Sequence, residues 1–153
     1  MEHAVEVRDL VVVRGTKPVL HGLTCTIEPG MVTGLLGPSG SGKTTLLRAI
    51  VGVQKVRSGQ VLVFGQPAGS KPLRQRIGYL TQAPSVYADL TVRENARYFA
   101  SLFGVGAAAA DKAVADVGLA AAAGQLVRTL SGGQRARASL ACALVSGPEL
   151  LVL

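Results

Sequence analysis

Apolar residues recur at nearly every second position in VEVRDLVVVR (5–14) and VLHGLTCTI (19–27), the period of strands with one buried face. EPG at 28–30 reads as a turn between strands, and MVTGLLG (31–37) reads as a short buried strand ending at Gly37. The spacing then changes. From Lys43, KTTLLRAIVG predicts a helix with Leu46, Leu47, Ile50 and Val51 on one side and Gly52 as its C-terminal cap. QVLVFG (60–65) and IGYLTQ (77–82) predict two further strands. Thr91 and Glu94 form a T-x-x-E capping box, which predicts a helix start and a helix running on through NARYFASLFG. Residues 107–123 are alanine-rich and predict helix for part of their length. A last helix, RARASLACALVSG, precedes the apolar run ELLVL. The order strand, glycine-rich loop, helix, strand implies an α/β fold with a parallel component.

Composition narrows the class. A chain of 153 residues fits one domain with one core, and 48% apolar against 16% charged residues marks globular material. Cys25 and Cys142 both fall in apolar patterns and read as small core residues of a reducing compartment. MEHAVEVRDL lacks the long apolar region of a signal peptide, and no run reaches the ~20 apolar residues of a membrane span, so a cytosolic location is expected. The net charge of +7 suits solvated faces or attraction to a polyanion. With aromatics at 4% there is no base-stacking platform, and nucleic acid is not expected as a partner.

GPSGSGKTT (Gly37, Pro38, Ser39, Gly40, Ser41, Gly42, Lys43, Thr44, Thr45) fits G-x-x-x-x-G-K-[ST] between a predicted strand and a predicted helix. Glycines let successive amides turn inward into an anion-binding nest, and the helix start adds partial positive charge. Lys43 brings a charge to the β- and γ-phosphates of a nucleotide, and the Thr44 hydroxyl is placed to ligate Mg²⁺. LSGGQ (130–134) has a local explanation for two of its residues, because Ser131 and Gln134 form an S-x-x-Q capping box. Gly132 and Gly133 are not explained that way. Each costs about 1 kcal/mol against alanine in a helix, which makes sense where a phosphate must come close to the backbone.

Together the two motifs resemble the ATP-binding subunits of ABC transporters, in which LSGGQ is the signature. The resemblance covers nearly the whole chain. It implies a P-loop NTPase fold with a mainly parallel sheet, an N-terminal antiparallel β subdomain and a helical subdomain, about 84–140, carrying LSGGQ. It also implies ATP and Mg²⁺ as cofactors and a head-to-tail dimer with a second ATP-binding subunit, so that Ser131, Gly132, Gly133 and Gln134 act across the interface. A membrane permease at the cytoplasmic face is the other implied partner. Gln82 in YLTQ matches the family's glutamine loop, which reaches Mg²⁺ and the attacking water and senses the membrane subunit. Lys43 and Gln82 are then the catalytic residues, and Thr44 and Gln82 the metal-facing ones.

There are two departures. Arg14 before Gly15 stands where the family usually stacks an aromatic residue on adenine; a guanidinium can stack on a base, and an exposed strand-end arginine is the alternative. In the family an apolar strand like ELLVL runs into an aspartate for Mg²⁺ and a glutamate for the attacking water, with a γ-phosphate histidine later. This sequence stops at Leu153, before all three, and His3 and His21 match neither that histidine nor each other. The expectation is the N-terminal portion of a longer subunit, without its C-terminal strands, that binds nucleotide and turns it over poorly or not at all.

DLTVRENARYFASLFG resembles the segment that follows the glutamine loop in exporters of drugs, antibiotics or lipids, which favours export over import. The alternatives are a truncated module that binds nucleotide or a partner without turnover, and a soluble ABC ATPase of DNA repair or translation. The 47 residues between Gln82 and Leu130 have no sustained heptads, which counts against the repair type. The length is too short for the two cassettes of the translation type unless much sequence is missing.

Overall fold

The structure is a computed structural model that describes residues 3–153, and the chain divides into two compact units, Met1–Arg74 and Gln75–Leu153, rather than gathering round a single core. In the first unit β1 (Val5–Arg14), β2 (Lys17–Ile27), β3 (Ser58–Val63) and β4 (Gln66–Pro67) form an antiparallel sheet in the order β2-β1-β3-β4. Val5, Val7, Leu10 and Val12 of β1 are buried, so the alternation slips by one between Val7 and Leu10. The slip is a bulge at Asp9, whose φ of 47° is in the left-handed region and whose amide donates to Thr24 Oγ1 at 2.9 Å. This is why the sequence alternates only in part.

The helix α1 (Lys43–Val51) lies against β2 and β3. Its buried stripe is Thr45, Leu46, Ala49 and Ile50, with Leu47 and Val51 only half-buried, so the inward face is turned from the one the larger aliphatics suggest. Gly52 caps it at φ 84°, with its backbone pressed against Gly69, where a side chain has no room.

One predicted strand is absent. Residues 31–37 form no regular structure and make no backbone–backbone hydrogen bond among the described residues. Val32 is 101% and Leu36 94% exposed. An apolar strand of this kind is stable when neighbours pair with its edges and cover its faces. The strands of the described residues pair only among themselves, and none pairs with this segment.

In the second unit β5 (Ile77–Tyr79) and β6 (Leu150–Val152) pair in parallel, Ile77 opposite Leu150. The register is fixed at its start by Arg76, whose carbonyl accepts from the amides of Glu149 and Leu150 at 2.9 and 3.0 Å and whose guanidinium grips the Glu149 carboxylate. Helices α2 (Val92–Leu102), α3 (Ala107–Asp116) and α4 (Gly132–Leu144) pack on one another through small residues: Ala96, Ala100, Ala110, Ala113, Ala138 and Ala141 are all buried. The alanine-rich composition is thus the core of a close-packed helical cluster. Gly78 on β5 meets α4 so closely that a Cβ there would lie 2.7 Å from Ala143 O.

Both capping boxes form. Thr91 accepts from Glu94 N at 3.1 Å while Thr91 N donates to Glu94 Oε2 at 2.7 Å. Asn95 is fully buried one turn on, accepting from Tyr87 N at 2.7 Å and donating to Tyr87 O at 3.0 Å, which ties the preceding loop to the helix. Cys142 is buried as expected and its thiol is pushed up to about 12 by burial. Cys25 is only half-buried, because β2 is an edge strand, and burial raises its thiol too.

Three carboxylates of the second unit sit below their ordinary range: Glu94 through the Thr91 amide, Asp111 through the Arg97 guanidinium, and Glu149 through Arg76. A lowered carboxylate lends stability above its unfolded pKa, about 4, and loses it as pH falls through the folded value. The urea midpoint should therefore drop on acidification below about pH 4.5, and Glu94→Gln should blunt that drop. Thr91→Ala should cost about 1 kcal/mol at neutral pH, measured by the same denaturation.

Candidate nucleotide-binding site

The loop 37–42 leads into α1 with its backbone turned inward. Gly40 (φ 79°) and Gly42 (φ 97°) occupy the left-handed region that glycine tolerates, which lets the chain curl. Among the described residues, only the Ser41 amide between Ser39 and Thr45 has a protein partner, Pro38 O at 3.2 Å. The amides of Gly42, Lys43, Thr44 and Thr45 are the orphan donors of a helix first turn. Lys43 Nζ donates to Gly37 O at 2.6 Å and Pro38 O at 2.7 Å, holding carbonyls of the loop to a cation while the amides stay free. That arrangement attracts an anion.

Thr44 is exposed beside Lys43, so its hydroxyl suits a metal ion that also touches phosphate oxygens. Thr45 is buried, so any part it plays is through its amide. Gly37 faces Ser41, with 2.9 Å from a built Cβ to Ser41 Oγ. Arg14 is exposed at the tip of the β1–β2 hairpin, opposite Lys17.

The remaining candidates belong to the second unit. Gln82 is exposed on the loop after β5, a loop shaped by Thr81 Oγ1, which donates to Ala83 O at 2.6 Å. Ser131 caps α4, accepting from Gln134 N at 3.2 Å while its own amide donates to Gln134 Oε1 at 3.0 Å. Gly132 and Gly133 are exposed, have nothing within 4 Å of a built Cβ, and their amides have no partner among the described residues. Arg135 follows on the same turn, donating through Nη2 to Leu130 O at 3.3 Å.

Sequence reasoning missed an apolar groove of about 190 Å³ beside β5, walled by Tyr79, Phe99, Phe103 and Cys142. The Ser139 hydroxyl at its side is buried without a hydrogen-bond partner. Its walls come from β5, α2 and α4, which are far apart in the chain, and no local pattern brings them together.

The family model described as ABC transporter matches residues 20–153, which include the phosphate loop, Gln82 and the LSGGQ turn. The chain belongs to this family. As an ABC transporter ATP-binding domain it is 40% identical over 145 residues to the Nod factor export ATP-binding protein I of Burkholderia lata, covering 91% of this chain and 48% of that protein. It is 41% identical over 143 residues to the probable multidrug ABC transporter ATP-binding protein YbhF of Escherichia coli, covering 90% of this chain and 25% of that one. The chain thus spans about half the length of the first relative and a quarter of the second. Its fold is similar to that of cbiO1 from Clostridium perfringens, part of the ABC transporter complex cbiONQ, with a TM-score of 0.86 at 26% identity, covering 99% of this chain and 64% of that one. The family's ABC ATPase fold is therefore present, with its antiparallel sheet, parallel pair and helices. No helix of the described residues is long and apolar enough to cross a membrane.

The phosphate loop makes a steric prediction. At Gly42 a Cβ would lie 2.8 Å from Leu20 Cδ2 and 3.3 Å from Val19 O, in addition to the left-handed φ. Gly42→Ala should cost about 1–3 kcal/mol, read as a lowered denaturation midpoint.

Proposed function

We propose that this chain is the nucleotide-binding part of the energy-coupling subunit of an ABC exporter. The observation that carries the reading is the pairing of two half-sites in one sequence. One is a phosphate loop whose amides are free and inward-turned; the other is a helix start, Ser131–Gln134, with two glycines that its own fold does not need. A half-site that accepts a second molecule's phosphate explains those glycines. Two subunits then assemble head to tail, Ser131, Gly132, Gly133 and Gln134 of each closing on the nucleotide of the other.

ATP is the nucleotide assigned by family. The loop amides and Lys43 hold the β- and γ-phosphates, and Arg14 lies against the base. Mg²⁺ fits the exposed Thr44 hydroxyl, and Gln82 is assigned to the metal by the family resemblance alone; when bound the ion would draw charge from the phosphate oxygens. In the first unit the described carboxylates are all engaged elsewhere, Glu6 by Arg8, Glu28 by His3 and Asp9 by Thr24. The loop amides, Lys43 and Thr44 accordingly account for binding of Mg²⁺–ATP, and the first unit's described carboxylates take no part in it. The permease partner, at the cytoplasmic face of the membrane, meets the second unit at the groove beside β5 and the Gln82 loop. Export is favoured by the named activities of the relatives, a Nod factor export protein and a probable multidrug transporter.

In a complete subunit with its permease in vesicles, Lys43→Ala should reduce ATP hydrolysis to background, and retained turnover would sink the reading. Gly133→Ala gives a sharper test because its two effects have opposite sign. It should leave the fold unharmed or raise its stability by up to about 1 kcal/mol, since it removes a helix glycine from open space. It should also abolish nucleotide-driven dimerisation, measured by light scattering. A variant that dimerised normally would show that these glycines serve some other purpose.

A further inference from the structure

We propose, resting on the half-site reading above, that Asn95 is a positioning residue for the LSGGQ turn. It fixes the backbone on which residues 123–128 are laid, and so sets where Ser131, Gly132 and Gly133 stand within the second unit. Asn95 is fully buried, and a buried amide is tolerated only where its polar atoms are matched. Its Oδ1 accepts from Tyr87 N at 2.7 Å. Its Nδ2 donates to Tyr87 O and Thr91 O, each at 3.0 Å, with a longer approach to Leu90 O at 3.4 Å. The side chain thus holds one edge of the loop before α2 and leaves the other edge to bond elsewhere.

That other edge carries the segment leading to α4. Val127 N donates to Leu90 O and Arg128 N to Ala88 O, both at 3.0 Å. In the reverse direction two first-turn amides of α2 are used: Val92 N donates to Gln125 O at 3.1 Å and Arg93 N to Ala123 O at 2.9 Å. Thr91 and Leu126 pair between them as an antiparallel bridge, and Arg128 Nη1 donates to Asp89 Oδ1 at 2.9 Å. The Leu90 carbonyl is the shared member, facing both Asn95 Nδ2 and Val127 N.

Little slack separates this docked segment from the turn. Leu130 N donates to Val127 O at 3.1 Å and Thr129 Oγ1 to Leu126 O at 2.7 Å, while the Val127 and Leu130 side chains are buried. Ser131 follows at once as the cap of α4. The helix body cannot do this alone. Its first buried alanine, Ala138, lies about 9 Å along the axis from Gly132, at 1.5 Å per residue. The body holds α4 against its neighbours, and the entry from residues 126–130 holds its start. An apolar side chain at 95 would fill the same volume but take away the acceptor of Tyr87 N, loosening the loop from which that entry hangs.

Amide hydrogen exchange on the 153-residue chain, followed by NMR, reads this directly. The amides of Tyr87, Val127 and Arg128 should open together, with protection factors within about threefold of one another. Independent opening of Tyr87 and of Val127 with Arg128 overturns the proposal, and that comparison needs no variant. Asn95→Ala should raise exchange at all three by a common factor of about ten or more, with Ala138 and Ala141 unchanged. A rise at Tyr87 alone overturns the proposal, as does an equal rise throughout α4, which is what simple loss of stability produces. In a complete subunit with its permease in vesicles, Asn95→Ala should lower turnover about tenfold while the amount of Mg²⁺–ATP bound per subunit stays at the parent level. Turnover at the parent rate, or a loss of bound nucleotide that matches the loss of turnover, would also overturn it. The half-site reading is judged separately: hydrolysis retained in Lys43→Ala, or normal dimerisation of Gly133→Ala, removes that reading and this inference with it. Loss in both of those variants, with parent-level turnover in Asn95→Ala, sinks this inference alone.

Discussion

A neutral backbone can hold a polyanion only where several amides converge without being used by the protein's own carbonyls. The loop 37–42 and the start of α1 meet that constraint through their local geometry. Two left-handed glycines, Gly40 and Gly42, curl the loop; Lys43 binds the carbonyls of Gly37 and Pro38; and α1 begins at once, so its first-turn amides face the same way. Because Gly42 is wedged against Leu20, the loop's geometry is referred to the sheet, and the β1–β3 core keeps it in place. The nest is held from outside by packing, and its interior donors are left free.

The second unit solves a different problem. Its signature turn needs a rigid helix whose first two residues are glycines, the worst helix formers after proline. The reciprocal Ser131–Gln134 cap compensates at the N-terminus, and buried alanines anchor the body of α4 against α2 and α3. Ser131 and Gln134 therefore serve two ends: they stabilise the turn and border the open amides. Substituting either one would confuse loss of stability with loss of binding, whereas the glycines separate the two.

Features with short-range causes were legible in the sequence. The capping boxes, the glycine C-cap at Gly52 and the phosphate loop are decided within a few residues, and each forms where its motif lies. Longer-range features were less so. The register slip at Asp9 depends on Gly59 and Thr24 across two neighbouring strands. Burial of Cys25 depends on β2 being an edge, and the groove beside β5 depends on three separate elements. The segment 31–37 has all the local marks of a strand. A strand is a relation between chains of hydrogen bonds, however, and the described residues supply no partner for this one. Of the candidate site, the glycine-rich turn and the capped helix start were readable as local geometry, but the free space around Gly132 and Gly133 was not.

That same segment has a consequence for how the 153-residue chain behaves in solution. Met31 to Leu36 is six residues without charge or proline, with its apolar side chains exposed. Such a stretch is the usual nucleus for strand-to-strand adhesion between copies, and nothing at its edges discourages it. In the 153-residue chain the residues that lead into the glycine-rich loop are thus also the ones most open to such adhesion.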